Sequence, residues 1–267
     1  VRYYFKRVND FRYYYGFLLG LLIIFLHIVF SVIPTREYLN INTVFLFTPY
    51  TKWITFDTNG TYSILFVLAL PLFCSLGLNQ LVYDDLKSGF WHYKLPHSSI
   101  VRYALETSFL SFLNGFVVCT ALLSIDLGIT FLLLPNIIPN FILNSNTAVL
   151  PDFTYFSKLY YTHPLYLFVF YIILSGFIAG LFSLFSGMLS FYIHKKFAVI
   201  STGFVVGFVI SVLATVFFNQ IYSPLLLIIG FSPVYNPPIT LVVLMYFIIL
   251  AIVEMIFVLG VRKNAIL

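Results

Sequence analysis

Apolar side chains along this chain fall into six long, nearly uncharged runs, at about 16–33, 62–83, 104–125, 165–192, 197–218 and 239–260. Within each run they are continuous and do not alternate with polar residues, which excludes the strands of a membrane β-barrel. A helix crossing a hydrocarbon core about 30 Å thick needs about 20 such residues. Lipid offers the backbone no water to bond, so runs of this kind must be helical. The expected fold is an all-α integral membrane protein with six transmembrane helices, forming a single transmembrane domain over residues 1–267. The first run, Gly16 to Ile33, has no small-residue cleavage site before Pro34 and reads as a retained anchor, not a removable leader.

Composition supports the same solvent. The chain is 61% hydrophobic and 9% charged, against about 25% charged in soluble domains. A net charge of +5 would suit nucleic-acid binding in a soluble protein, but here the positions of the basic residues assign them a different role. Lys and Arg are retained in cytoplasmic connections. One side of the six-span plan receives Arg2, Lys6, Arg7, Arg12, Lys87, Lys94, Arg102, Lys195, Lys196, Arg262 and Lys263, while the other receives only Arg36, Lys52 and Lys158. Both termini are therefore expected in the cytoplasm.

Between the runs, residues 1–15 are too charged to cross a bilayer. Tyr4, Phe5, Val8 and Phe11 recur at helical spacing, which suits an interfacial helix whose basic residues meet anionic lipid; a positive anchor without a helix is the alternative. The short run Leu225 to Phe231 is bounded by Ser223-Pro224 and Ser232-Pro233 and cannot span, so it reads as a short re-entrant helix between the fifth and sixth spans.

Candidate chemistry is sparse. Glu106 and Asp126 bracket 19 uncharged residues and are expected at opposite interfaces, either as simple anchors or with one buried in a transport path. Glu254 lies within the last run, and is expected to face protein or a water-filled vestibule, where it would be a buried charge. Gly176 and Gly180, followed by Ser183 and Gly187, let another helix approach closely, within this chain or in a second subunit. Cys74 and Cys119 are too few for a disulfide framework or a thiolate metal site. The sequence contains no phosphate-binding loop, HExxH or CxxC, the five histidines are scattered, and Ser183, Ser186 and Ser190 suit helix packing better than nucleophilic catalysis. Neither catalytic nor cofactor-binding nor metal-binding residues are assigned.

After the second run comes DDLKSGFWHYKLPHSSIVRYALE, residues 84–106. This stretch resembles the permease subunits of ABC-2-type ATP-binding cassette exporters, with Asp84, Asp85, Gly89, Leu95, Pro96, Ser98, Ser99 and Arg102 at matching positions. An amphipathic N-terminal helix, six spans, inward termini and a re-entrant element complete the likeness over nearly the whole chain. The resemblance implies a bacterial plasma-membrane protein that is not itself an enzyme, paired with a second permease subunit, identical or homologous. A separate ATPase subunit would bind ATP and Mg. It would carry an amphipathic peptide or small hydrophobic compound outward.

Residues 84–97 would then be a cytoplasmic coupling helix docking on the ATPase, with Asp84, Asp85, Gly89, Phe90, Trp91 and Lys94 at the contact. A helical loop that touches only headgroups is the other reading of that segment. Phe17, Phe25, Phe208 and Phe218 would line the translocation path, or else pack in the helix core. The alternative function is a six-span membrane enzyme or assembly factor without ATP coupling.

Overall fold

The computed structural model describes residues 14–38, 47–57, 60–77, 80–89, 99–141, 149–216, 223–231 and 235–266. Almost all of the interfacial segment 1–15, Phe90 to His97 of the coupling segment and Phe218 lie outside the described residues. Six helical stretches are long and apolar enough to cross a membrane: Tyr15–Glu37, Thr61–Ser88, Ile100–Leu133, Pro164–Leu189, Lys196–Ala214 and Ile239–Lys263. The described residues contain no strand. The chain is thus an all-helical protein built to span a bilayer several times.

The first span is composite. Helix α1 (Tyr15–His27) passes into one π-helical turn (Ile28–Val32) and then α2 (Ile33–Tyr38). A single helical turn, α3 (Pro49–Lys52), follows. The second span starts as α4 (Thr61–Ser75) and continues as α5 (Gln80–Ser88). The expected continuous run 62–83 is therefore broken. Gly77 has φ +96°, a left-handed value that glycine adopts without a Cβ clash. The freed carbonyls of Cys74 and Leu76 accept hydrogen bonds from Asn114 Nδ2 at 3.1 and 3.0 Å.

The third span, α6 (Ile100–Leu133), has 34 residues, about 50 Å at about 1.5 Å per residue. It begins where Ser99 Oγ accepts from Arg102 N, at a β-region N-cap. It stops before Pro135, which disfavours helix in the residue ahead of it. Asp126 was expected to mark its outer interface; instead the helix runs seven residues past it, and Asp126 is fully buried. Glu106 is half-buried near the other end, paired with Arg102 at 3.0 Å.

Short α7 (Ser157–Thr162) precedes α8 (Pro164–Leu189), with α9 (Lys196–Val216) and α10 (Ile239–Ile266) completing the spans. Between α9 and α10 the run expected to be a short helix forms one 3-10 turn, Leu226–Ile228, with Leu225, Leu227 and Ile228 buried.

The bundle is organised around α6 and α8, which pack along most of their length. Small residues make this possible. A Cβ on Gly115 would lie 2.3 Å from the Ala179 carbonyl oxygen, while Gly176 and Gly180 face Phe116 and Phe112. The GxxxG pair of α8 is thus used within this chain. Ser183 Oγ donates to Ser111 O at 2.6 Å, and Ser186 Oγ donates to Val199 O at 3.1 Å, so both serines join helices.

Gly115→Ala should lower stability by about 1–3 kcal/mol, since the backbone opposite cannot yield cheaply. Gly128, which has open space around it, is the control, and Gly128→Ala should gain up to about 1 kcal/mol from helix propensity. Thermal unfolding of both purified variants in one detergent checks the contrast.

Candidate functional site

At the end of the bundle opposite α5, residues 47–57 fold inward. Thr48 N donates to Thr51 Oγ1 at 3.0 Å and Pro49 opens the turn of α3, which places Lys52 on its inner side. Trp53 then leaves helical geometry, and Trp53 Nε1 donates to Leu123 O of α6 at 3.1 Å. The indole stacks on Phe168 of α8 with centroids 4.5 Å apart, and Phe56 meets Tyr171 edge-on at 5.2 Å. Tyr155, outside the spans, has its phenol pushed up to about 12 by burial, and its hydroxyl donates to Pro237 O at 2.7 Å. This aromatic layer excludes water from what lies beneath it.

Beneath it are four ionisable side chains. His27 Nδ1 is 2.8 Å from Asp126 Oδ1, and His27 Nε2 is 3.5 Å from Asp57 Oδ2. Lys52 Nζ donates to Asp57 Oδ1 at 2.9 Å. Ser31 Oγ donates to Asp57 Oδ2 at 2.6 Å, and Ile54 N donates to Asp126 Oδ2 at 2.9 Å. His27, Lys52, Asp57 and Asp126 are each at most 4% exposed. His27 and Ser31 are four apart, so they share the inner face of the first span and reach the same carboxylate; a π-helical turn, Ile28–Val32, begins between them. Turns of this type often accompany functional sites.

Desolvation works against each of these charges, by several kcal/mol per ion. With His27 protonated, two cations face two carboxylates among the described residues, and these four charges balance. Burial alone would raise the Asp57 carboxyl; the His27 contact, the Lys52 ammonium and the Ser31 hydroxyl together hold it well below the usual carboxylate range. Ser31 donates to Asp57 and not to the His27 imidazole, so these two side chains do not form a nucleophile–base pair in this arrangement. The described residues contain no group of three or more side chains arranged for a metal ion.

The residues singled out from sequence are dispersed. Asp84 and Asp85 lie on α5: Asp84 accepts from Lys196 Nζ at 3.2 Å, and Asp85 is 1% exposed. Both turn toward their own chain. Gly89 ends α5 with φ +69°; Phe90, Trp91 and Lys94 lie outside the described residues. Phe17 is half-buried beside the core, whereas Phe25 and Phe208 are exposed on the bundle surface. Glu254 is half-buried and accepts from Ser108 Oγ at 2.6 Å. Lys52, expected to face outward in a loop, is instead buried in the ion cluster, because residues 47–57 fold back onto the spans.

Of the cluster, only Asp126 had been weighed as a buried charge. His27 carried a usable signal, an ionisable residue inside an apolar run. Lys52 and Asp57 carried none, because a loop charge is ordinarily solvated.

Asp126→Ala should cost about 3–5 kcal/mol by removing the one hydrogen-bonded carboxylate of His27 and the acceptor of Ile54 N in the interior, while Glu106→Ala, which breaks an i,i+4 pair whose Arg102 side is largely exposed, should cost about 0.5 kcal/mol or less. The depressed Asp57 carboxyl contributes stability that is complete above its unfolded value, about 4, and is lost as pH falls below it. Unfolding in detergent below about pH 4 should therefore be less pH-dependent in Asp57→Asn than in the parent. Comparison with protein-family models, with curated proteins and with solved structures found no match to this chain.

Proposed function

We propose that this chain is a transmembrane subunit of an exporter, similar in plan to the ABC-2-type permeases, that moves an amphipathic peptide or small hydrophobic compound and is driven by a separate ATPase subunit. The observation that carries the reading is α5. It leaves the second span at the Gly77 break, buries Leu81, Val82 and Tyr83 against the bundle, and exposes Lys87 and Ser88. Tyr83 donates to His194 O at 2.5 Å, and Lys196 pairs with Asp84, so α5 is fastened to the turn joining α8 and α9. A partner that pushes on the segment after α5 would therefore move two spans together.

In this reading both termini and α5 face the cytoplasm of a bacterial cell, and residues 225–231 form the re-entrant element. Gly230 N donates to Thr55 O at 2.9 Å, which ties that element to the folded-in segment 47–57. Phe25 and Phe208 are exposed where a second permease subunit would close the path. Phe90 and Trp91 supply the aromatic anchors for the ATPase.

Affinity purification in a mild detergent should bring down a nucleotide-hydrolysing chain. Phe90→Ala combined with Trp91→Ala should release it, since buried aromatic anchors are worth about 2 kcal/mol or more each. Retention of the ATPase at parental affinity by the double variant would remove the coupling assignment, and no ATPase in the parental preparation would remove the exporter reading. Orientation is checked with single cysteines at exposed Lys158 and Lys195: an impermeant thiol reagent applied to intact cells should label the first and spare the second.

A further inference from the structure

The imidazole of His27 has a carboxylate oxygen near each ring nitrogen: Asp126 Oδ1 is hydrogen-bonded to Nδ1 at 2.8 Å, and Asp57 Oδ2 lies 3.5 Å from Nε2, close enough for charge attraction but without a hydrogen bond. A carboxylate only accepts, and a neutral imidazole has one N–H, so the neutral ring would turn a lone pair toward one of the two anions. Only the cation suits both. Among the described residues the other groups facing the ring are Ser31 from the π-helical turn, Lys52 from α3 and the Tyr62 ring of α4, whose centroid is 6.1 Å away. Lys52 already offsets one carboxylate. Among the described residues, loss of the His27 proton would therefore leave the cluster with one more negative than positive charge, at side chains that are each at most 4% exposed.

The same four side chains fasten residues 47–57 to the spans. Lys52 and Asp57 belong to that segment, while His27 and Asp126 belong to α1 and α6. Ile54 N is bonded to Asp126 itself. The charge balance and the position of the segment are thus one interaction seen from two sides.

We propose that His27 is a protonation-controlled latch: the imidazolium holds residues 47–57 in the end of the bundle, and its deprotonation releases them. The latch does not depend on the exporter reading, because it is tested on the isolated protein without cargo or ATPase. Its sign follows from the charges: the segment is held at low pH and let go as pH rises.

The chain has two tryptophans, Trp53 and Trp91, so Trp91→Phe leaves Trp53, in the segment and fully buried, as the sole tryptophan, read with excitation selective for indole over the tyrosines. In this background, purified in detergent, emission maximum and acrylamide quenching are followed from about pH 5 to about pH 10, a range that brackets histidine titration. The parent should be protected at low pH, then shift to the red and become quenchable as pH rises. His27→Gln, which leaves one excess carboxylate, should be open throughout. His27→Gln with Asp126→Asn restores neutrality and should be protected throughout, with no transition.

A flat parental titration would overturn the latch. So would a double variant as open as the single one, or a double variant that keeps the parental transition, which would assign that transition to Lys52 or another group. If His27→Gln loses its far-ultraviolet helix signal, the parent and the double variant still decide between these outcomes.

Discussion

A buried histidine and a buried lysine facing two buried carboxylates set the terms for one end of this protein. Taking four charges out of water is costly, and the cost is offset only when every partner is present in good geometry. Asp126 comes from the last third of a long helix, His27 is the last residue before a π-helical turn, and Lys52 and Asp57 come from a segment between spans. The three pieces therefore depend on one another. If residues 47–57 were to leave, His27 and Asp126 would lose their water-excluding cover, and Asp126 would lose its bond from Ile54.

That end of the bundle is sealed by aromatic packing as well as by charge. Trp53 sits between the ion cluster and α8, its ring on Phe168 and its N–H on the α6 backbone. The seal in turn requires α6 and α8 to stand close together, which Gly115, Gly176 and Gly180 permit by having no Cβ. Small residues in the middle of the bundle thus support a polar site some turns away.

The opposite end is governed by a different device. Asn114 accommodates the broken second span by satisfying two carbonyls that a continuous helix would have bonded internally. The break frees α5 to lie against the α8–α9 turn, where Tyr83 and Asp84 fasten it. One long helix, α6, carries both Asn114 and Asp126, so it contacts the break in the second span and the ion cluster alike.

The number and approximate limits of the spans were legible in the sequence, because a bilayer imposes a fixed apolar length and forbids unpaired backbone. Close packing through Gly176 and Gly180 was legible too, since small residues at helical spacing allow it, though not which helix would answer. The sequence left Lys52 and Asp57 as ordinary loop charges and Asp126 as an undecided one. Only the tertiary structure brought them to His27, since their meeting depends on a segment folding back between two helices whose paired residues, His27 and Asp126, are 99 apart in the chain. Hydropathy records what each stretch prefers as a solvent. It does not record which distant charge will replace water once that stretch is buried.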